Sequence, residues 1–240
     1  MAAKTDQTQE KFFDDEVSYF LSKQEENSFH AQRVMNKFLS LVRRYPHTHV
    51  LEIGAGIGTY SLPLLREGSS VTALDISAKS LEIYQALARK ENLLGNLTLL
   101  CQRAEDLEST CMYDMVLTRH VVHHVESISE VARRIHRSLR QDGVAIFLEP
   151  NPLCLYWYPY LTFHPHRSWK VEHGIFRCFP WMLVRHFQDA GFREIELLHY
   201  GAFPPFVVNK LHSLIALEER FAGVPWLRHF LALTLLKVKK

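Results

Sequence analysis

Four cysteines in 240 residues, Cys101, Cys111, Cys154 and Cys178, stand too far apart to form a CxxC pair, which argues against a zinc ribbon or a dithiol redox centre. Reduced thiols in a cytoplasmic setting are the expectation. A basic block is missing too: 28 Lys and Arg against 26 Asp and Glu leave a net charge of +2. Those cations are scattered, so no surface for nucleic-acid phosphates is written here. No run reaches the roughly 18 uncharged apolar residues that a spanning helix needs, and the opening MAAKTDQTQEKFFDDE lacks the apolar centre of a leader. Internal repeats and low-complexity tracts are absent. What remains is a chain that is 47% hydrophobic, enough to bury one sizeable core.

From Phe12 to Arg44 the apolar residues Phe12, Val17, Phe20 and then Val34, Phe38, Leu41 and Val42 recur at helical spacing. This predicts two helices forming an N-terminal cap over residues 1–45. Residues 46–240 read as one α/β domain. Strands are expected at 49–53, 71–75, 97–101, 113–118, 143–148, 194–199 and 231–238, with helices at 59–66, 77–91, 129–139, 180–189 and 206–221. The βαβαβ alternation implies a parallel sheet. Between about 150 and 179 the pattern gives way to a long segment rich in aromatic, His and Pro residues, of the kind that carries function.

The sharpest motif is Val50-Leu51-Glu52-Ile53-Gly54-Ala55-Gly56-Ile57-Gly58, a strand running into glycines and then a helix. Such a turn lets a ligand lie against bare backbone. A dinucleotide fingerprint would be GxGxxG, but here the third glycine arrives one residue early and Thr59 holds its place. Glu52, two residues before the first glycine, suits a cationic ligand and repels a pyrophosphate. A nicotinamide-dependent oxidoreductase is therefore the weaker alternative. Asp75 ends the second strand, where a carboxylate can accept from both hydroxyls of a ribose.

The series Leu-Glu-Ile-Gly-Ala-Gly-Ile-Gly, Leu-Asp-Ile-Ser, Arg-Ala-Glu-Asp-Leu and Tyr-Asp-Met-Val-Leu resembles the class I S-adenosylmethionine-dependent methyltransferases over about residues 48–150. It is most similar to their small-molecule and lipid, ubiquinone-biosynthesis-like branch. The resemblance implies a Rossmann-like, seven-stranded, mostly parallel sheet. It implies S-adenosylmethionine as cofactor, with Gly54, Ala55, Gly56 and Gly58 against its methionine and ribose, Glu52 close by, Asp75 on the ribose and Ile76 against adenine. Ala104 and Glu105 match the stretch that borders adenine, and Arg119 is placed with the cofactor contacts. Where relatives often carry an Asp that receives the adenine amino group this chain has Arg103, which cannot accept a hydrogen bond.

Thr118-Arg119-His120-Val121-Val122-His123-His124-Val125 follows the fourth strand, at the sheet edge where open α/β sheets bind ligands. It resembles the His-His-Val segment of the same branch, and His123 and His124 are the candidate bases for an acceptor that must lose a proton. Their alternative is a plain turn packed beside the cofactor. His164, His166 and His173, with Glu149 and Glu172 nearby, form a possible metal set, but their spacing is looser than zinc sites show, and no metal is expected. Tyr156, Trp157, Tyr158 and Tyr160 are read as an acceptor lid or as secondary core.

The expected partner is a small-molecule or lipid-like acceptor, with no nucleic acid. The stretch from Trp226 to Lys240 is either a peripheral membrane contact or, as the family resemblance favours, a last antiparallel strand. Oligomeric state stays open, and so does a cofactor-binding but catalytically inactive interaction module.

Overall fold

The computed structural model describes residues 2–26, 28–167 and 169–240. The chain begins with two helices, α1 (Ala2–Glu26) and α2 (Phe29–Val42), and enters the sheet at β1 (His49–Ile53). There follow α3 (Leu62–Arg66), β2 (Ser70–Asp75), α4 (Ala78–Lys90), β3 (Leu97–Cys101), β4 (Tyr113–Arg119), α5 (Ile128–Ser138) and β5 (Leu139–Pro150). Short helices α6 (Trp157–Phe163) and α7 (Trp169–Glu172) occupy the aromatic segment, and α8 (Pro180–Asp189) leads to β6 (Glu194–Tyr200). Helices α9 (Pro205–Val208) and α10 (Leu214–Gly223) precede the last strand, β7 (Leu233–Lys239).

The seven strands pair in the order β3-β2-β1-β4-β5-β7-β6. All neighbours are parallel except β7, which runs antiparallel to both β5 and β6. Successive side chains of a strand point to opposite faces, and the two halves of the core follow that period. Val50, Met115, Leu117, Val144 and Ile146 pack on one face with α2 and Tyr84. Leu51, Val116, Ala145 and Phe147 pack on the other, under α5 and α8. Serines cap three of the helices: Ser28, Ser77 and Ser127 accept from the backbone N–H groups of Ala31, Ser80 and Glu130, satisfying donors that a helix start leaves unpaired. Helix α2 is built into the main core through Val34, Phe38, Leu39, Leu41 and Val42.

Two helices depart from the expectation, while the C-terminal stretch follows it. The helix predicted from 59 begins only at Leu62, with Pro63 in its first turn, because Gly58 has φ +80° and the chain is still turning there. The single helix predicted over 206–221 is two helices, α9 and α10, with residues 209–213 between them. At the break the Asn209 side chain accepts from the backbone N–H of His30, at 2.8 Å. The C-terminal stretch is a strand seated between β5 and β6, with Leu233, Leu235, Leu236 and Val238 buried. The sheet reverses its order between β1 and β4, and their carboxyl ends open the crevice where such sheets hold ligands.

Candidate active site

β1 ends in a turn with three left-handed glycines, Gly54 (φ +70°), Gly56 (φ +52°) and Gly58 (φ +80°). They serve different ends. A Cβ at Gly54 would meet the Val121 side chain, and one at Gly58 would stand 2.4 Å from the Tyr84 ring. A Cβ at Gly56 would meet nothing within 4 Å. The missing side chains at Gly54 and Gly58 thus serve packing within the protein, whereas Gly56 faces open space. Ala55 is buried, and its amide and that of Gly54 both donate to the Leu74 carbonyl, at 3.1 and 2.7 Å. This fastens the loop to β2.

Asp75 closes the other side of that space. Its Oδ2 accepts from the Gly56 amide at 2.7 Å and its Oδ1 from the Ser77 amide at 2.8 Å. Burial raises its pKa, while the bonds from Ser77 and Gly56 work the other way. With a further backbone bond from Ile76, the four acceptor positions of the carboxylate still leave room for a ribose hydroxyl. Behind the loop Glu52 is buried, and burial lifts its pKa to about 8 against a hydrogen bond from Ser61, with Asp75 adding to the rise. Its Oε2 has no hydrogen-bond partner among the described residues, and a buried orphan of that kind is costly. Arg119 acts on Glu52 electrostatically and lies with its guanidinium 5.0 Å over the Tyr60 ring. It forms no ion pair among the described residues. A buried acid with one oxygen left unbonded and a guanidinium without an ion pair among the described residues, beside an open backbone wall, complement a zwitterion that also carries a ribose.

On the adenine side the expected contacts are partly spent. Glu105 Oε1 accepts from the Glu126 amide at 2.8 Å, and Arg103 joins Glu105 (3.6 Å) and Glu126 (2.8 Å). The departure at Arg103 thus has a role in tying β3 to the loop after β4, and Glu105 is engaged in the same cluster. Ala104 is buried, and the Ile76 carbonyl accepts from the Cys101 thiol at 3.8 Å.

The histidines divide sharply. His123 is buried with Nδ1 2.6 Å from Glu149 Oε2 and Nε2 3.1 Å from Glu172 Oε2. Burial opposes its charge, but the two carboxylates outweigh burial and raise it to about 9. Against burial, His123 holds Glu172 down at about 2. An imidazolium with both N–H groups committed has no lone pair to offer, so the base role expected of His123 does not suit its position. Glu149 also accepts from the amides of Val121 and Val122, both at 2.9 Å, which fixes the whole turn. His124 is driven down to about 3 by burial and by His123. Its ring is packed 3.9 Å from His123 and edge-on to Phe13.

His120 is different. It sits one residue past β4 in the left-handed region at φ +55°, a conformation few side-chain residues adopt and one that clusters at functional sites. Its ring makes no hydrogen bond among the described residues and stands edge-on to Trp157 at 6.1 Å. Burial, then Arg119, pushes its pKa well below the ordinary histidine value, so the ring stays neutral and keeps a nitrogen lone pair. His120 is not one of the two histidines that the sequence motif singles out. The available signal was its place as the first residue beyond the strand.

Two groups, His123 with His124 and Glu172, and His123 with Glu149 and Cys178, bring ligand atoms within 4.8 Å of one another. Protons close both: His123 bonds the carboxylates, and burial holds the Cys178 thiol well above its usual range, hence un-ionised. His164, His166 and His173 do not converge. His166 pairs with Glu16 (2.8 Å), His164 lies 3.4 Å from the Tyr19 hydroxyl, and His173 meets the Lys170 carbonyl.

Helix α1 crosses this edge, a placement sequence alone did not reveal. Gln9 donates to the His124 carbonyl (3.1 Å), Asp14 accepts from the Ser77 hydroxyl (2.6 Å), and Tyr19 stacks on His166 at 4.0 Å. One helix therefore links the loops after β2 and β4 to the aromatic segment. In that segment Trp157 donates its indole N–H to the Ala232 carbonyl (2.7 Å) and packs on the core, so it is part wall and part core.

A reversed-order sheet, an open glycine turn and an acid at the end of β2 define a nucleoside-binding domain of the class I methyltransferase architecture. Residues 51–147 match the family described as a methyltransferase domain, the part of the chain that runs from β1 into β5. It is similar to the ubiquinone biosynthesis O-methyltransferase of Rickettsia canadensis, at 26% identity over 52% of each chain. The chain thus spans about half the length of the curated relatives it matches. A solved S-adenosylmethionine-dependent methyltransferase from Archaeoglobus fulgidus superposes with a TM-score of 0.63 at 17% identity, covering 92% of this chain and 99% of that one. The [4+2]-cyclase SpnF superposes with a TM-score of 0.64, also at 17% identity, covering 88% and 80%. The fold is therefore shared by proteins named for different activities, and function has to be argued from the site.

Proposed function

We propose that the protein transfers the methyl group of S-adenosylmethionine to a small-molecule or lipid-like acceptor held beside His120 and Trp157. The observation that carries this reading is the pair formed by Gly56 and Asp75: a glycine with open space over it, hydrogen-bonded to a buried carboxylate with room to accept a further bond. The residues present suit the cofactor. Asp75 would hold the ribose, Glu52 the ammonium and Arg119 the carboxylate of the amino-acid part, and Gly56 would let the backbone approach.

Bound there, S-adenosylmethionine supplies an electrophilic methyl group on a positively charged sulfur. The protein's task is alignment, exclusion of water, and removal of a proton where the acceptor carries one. His120 is our candidate for that last part, since its ring nitrogens make no hydrogen bond among the described residues. His123, locked between Glu149 and Glu172, acts by positioning: it holds the turn that presents His120 and Val121 beside the glycine loop.

The test is incubation of the protein with methyl-labelled S-adenosylmethionine and a native metabolite and lipid extract, followed by mass analysis. Label in a product is expected with the wild-type chain. Label transferred by His120→Gln should fall at least tenfold, about 1.4 kcal/mol in barrier, with cofactor affinity unchanged. No labelled product from any fraction of the extract would count against methyl transfer.

A further inference from the structure

Strands β6 and β7 are antiparallel neighbours that a tight hairpin could join. Instead the chain spends residues 201–232 on α9, α10 and a short 3₁₀ turn at Arg228–Phe230. Single exposed apolar side chains are ordinary, but five of the twelve strongly exposed large hydrophobics among the described residues lie in this insertion. Phe206 and Trp226 are each 66% exposed, Phe230 55% and Leu211 54%. Lys210, Arg220 and Arg228 are exposed beside them, and none has a carboxylate partner among the described residues. Of the two acids in the insertion, Glu218 is buried and paired with Arg33 at 2.6 Å, which leaves Glu219 as the one exposed acid.

The insertion also borders the acceptor side. Asn151 donates to the carbonyls of His229 and Leu231, both at 2.8 Å, and Trp157 donates to that of Ala232. The start of the aromatic segment and the end of the insertion thus form one rim, on which Leu155 is 80% exposed.

We propose that this rim docks the protein onto the surface of an anionic bilayer. Trp226, Phe206, Leu211 and Phe230 enter the headgroup region, and Lys210, Arg220 and Arg228 meet lipid phosphates. Large apolar side chains, an indole and cations without a carboxylate partner among the described residues, all carried by one inserted segment, are what an interfacial contact requires. A two-fold dimer through the same face would bring the three cations of one copy toward those of the other. The sheet's last strand takes no part, since β7 is paired on both sides. The inference stands apart from the methyl-transfer reading, because docking needs no turnover.

The experiment is flotation of the full chain with vesicles of phosphatidylcholine alone and of phosphatidylcholine with phosphatidylglycerol. The wild-type chain is expected to float with the anionic vesicles only, less so as salt is raised. Two double variants, Trp226→Ser with Phe230→Ser and Lys210→Glu with Arg228→Glu, should each bind at least tenfold more weakly while melting as the wild type does. Three results overturn the proposal: no binding of the folded wild type to anionic vesicles, equal binding to both vesicle types, or equal binding by folded variants. Concentration-dependent self-association that the Trp226→Ser, Phe230→Ser variant abolishes overturns it as well, making the face an interface between copies.

Discussion

At Gly58 the turn has no spare room: Tyr84 is fully buried, and its hydroxyl lies 2.6 Å from Ser61. An alanine there would drive its Cβ into that ring while also straining a left-handed backbone. Gly58→Ala is therefore expected to lower stability by about 1–3 kcal/mol. Gly56→Ala, with open space above it, should cost only the backbone strain, roughly 1 kcal/mol. Urea melts of the two variants check the order, and equal losses would contradict it. Glu52 makes a second residue-level prediction. Raised to about 8 by burial, its carboxyl is largely protonated at neutral pH and should give up its proton when a cationic ligand arrives. Calorimetry of S-adenosylmethionine binding in buffers of different ionisation enthalpy should therefore show proton release near neutral pH. The release should disappear in Glu52→Gln, and its persistence there would assign the proton to another group.

Among the elements, the loop after β4 and helix α7 are joined through His123 and Glu172, and the join has a defined pH window. His123 rises from 6.5 to about 9, so its contribution is complete below pH 6.5 and is lost as pH climbs through 9. Glu172 falls from 4.5 to about 2, so its contribution is complete above pH 4.5 and is lost as pH drops through 2. The clamp is at full strength between pH 4.5 and 6.5. Melting temperatures of the wild type and Glu172→Gln should differ most in that window and narrow above pH 9 to what the Arg167 bond to Glu172, at 3.2 Å, contributes, whereas a gap constant with pH would refute the clamp. None of this was legible in the sequence, because Glu172 lies 49 residues from His123 in a segment without periodicity. The strands were legible, since β1, β2 and β4 are short apolar runs buried on both faces. The insertion reads as one helix in sequence but folds as two, because its apolar residues do not all face the core.

For the whole molecule, the sheet reversal between β1 and β4 gathers Glu52, Gly56, Asp75, Arg119 and His120 at one edge, and α1 closes across it. The motif residues were readable because glycine geometry and an acid at a strand end are local properties. The choice among histidines was not, because it depends on which partners the fold delivers. The most direct measurement is calorimetric titration of S-adenosylhomocysteine and of NAD into the wild-type chain and Asp75→Ala. Micromolar binding of S-adenosylhomocysteine, on the order of −8 kcal/mol, is expected for the wild type, with no measurable binding of NAD. Asp75→Ala should weaken it by roughly 1.5–3 kcal/mol. Binding of NAD in place of S-adenosylhomocysteine, or an affinity that Asp75→Ala leaves unchanged, would contradict the account.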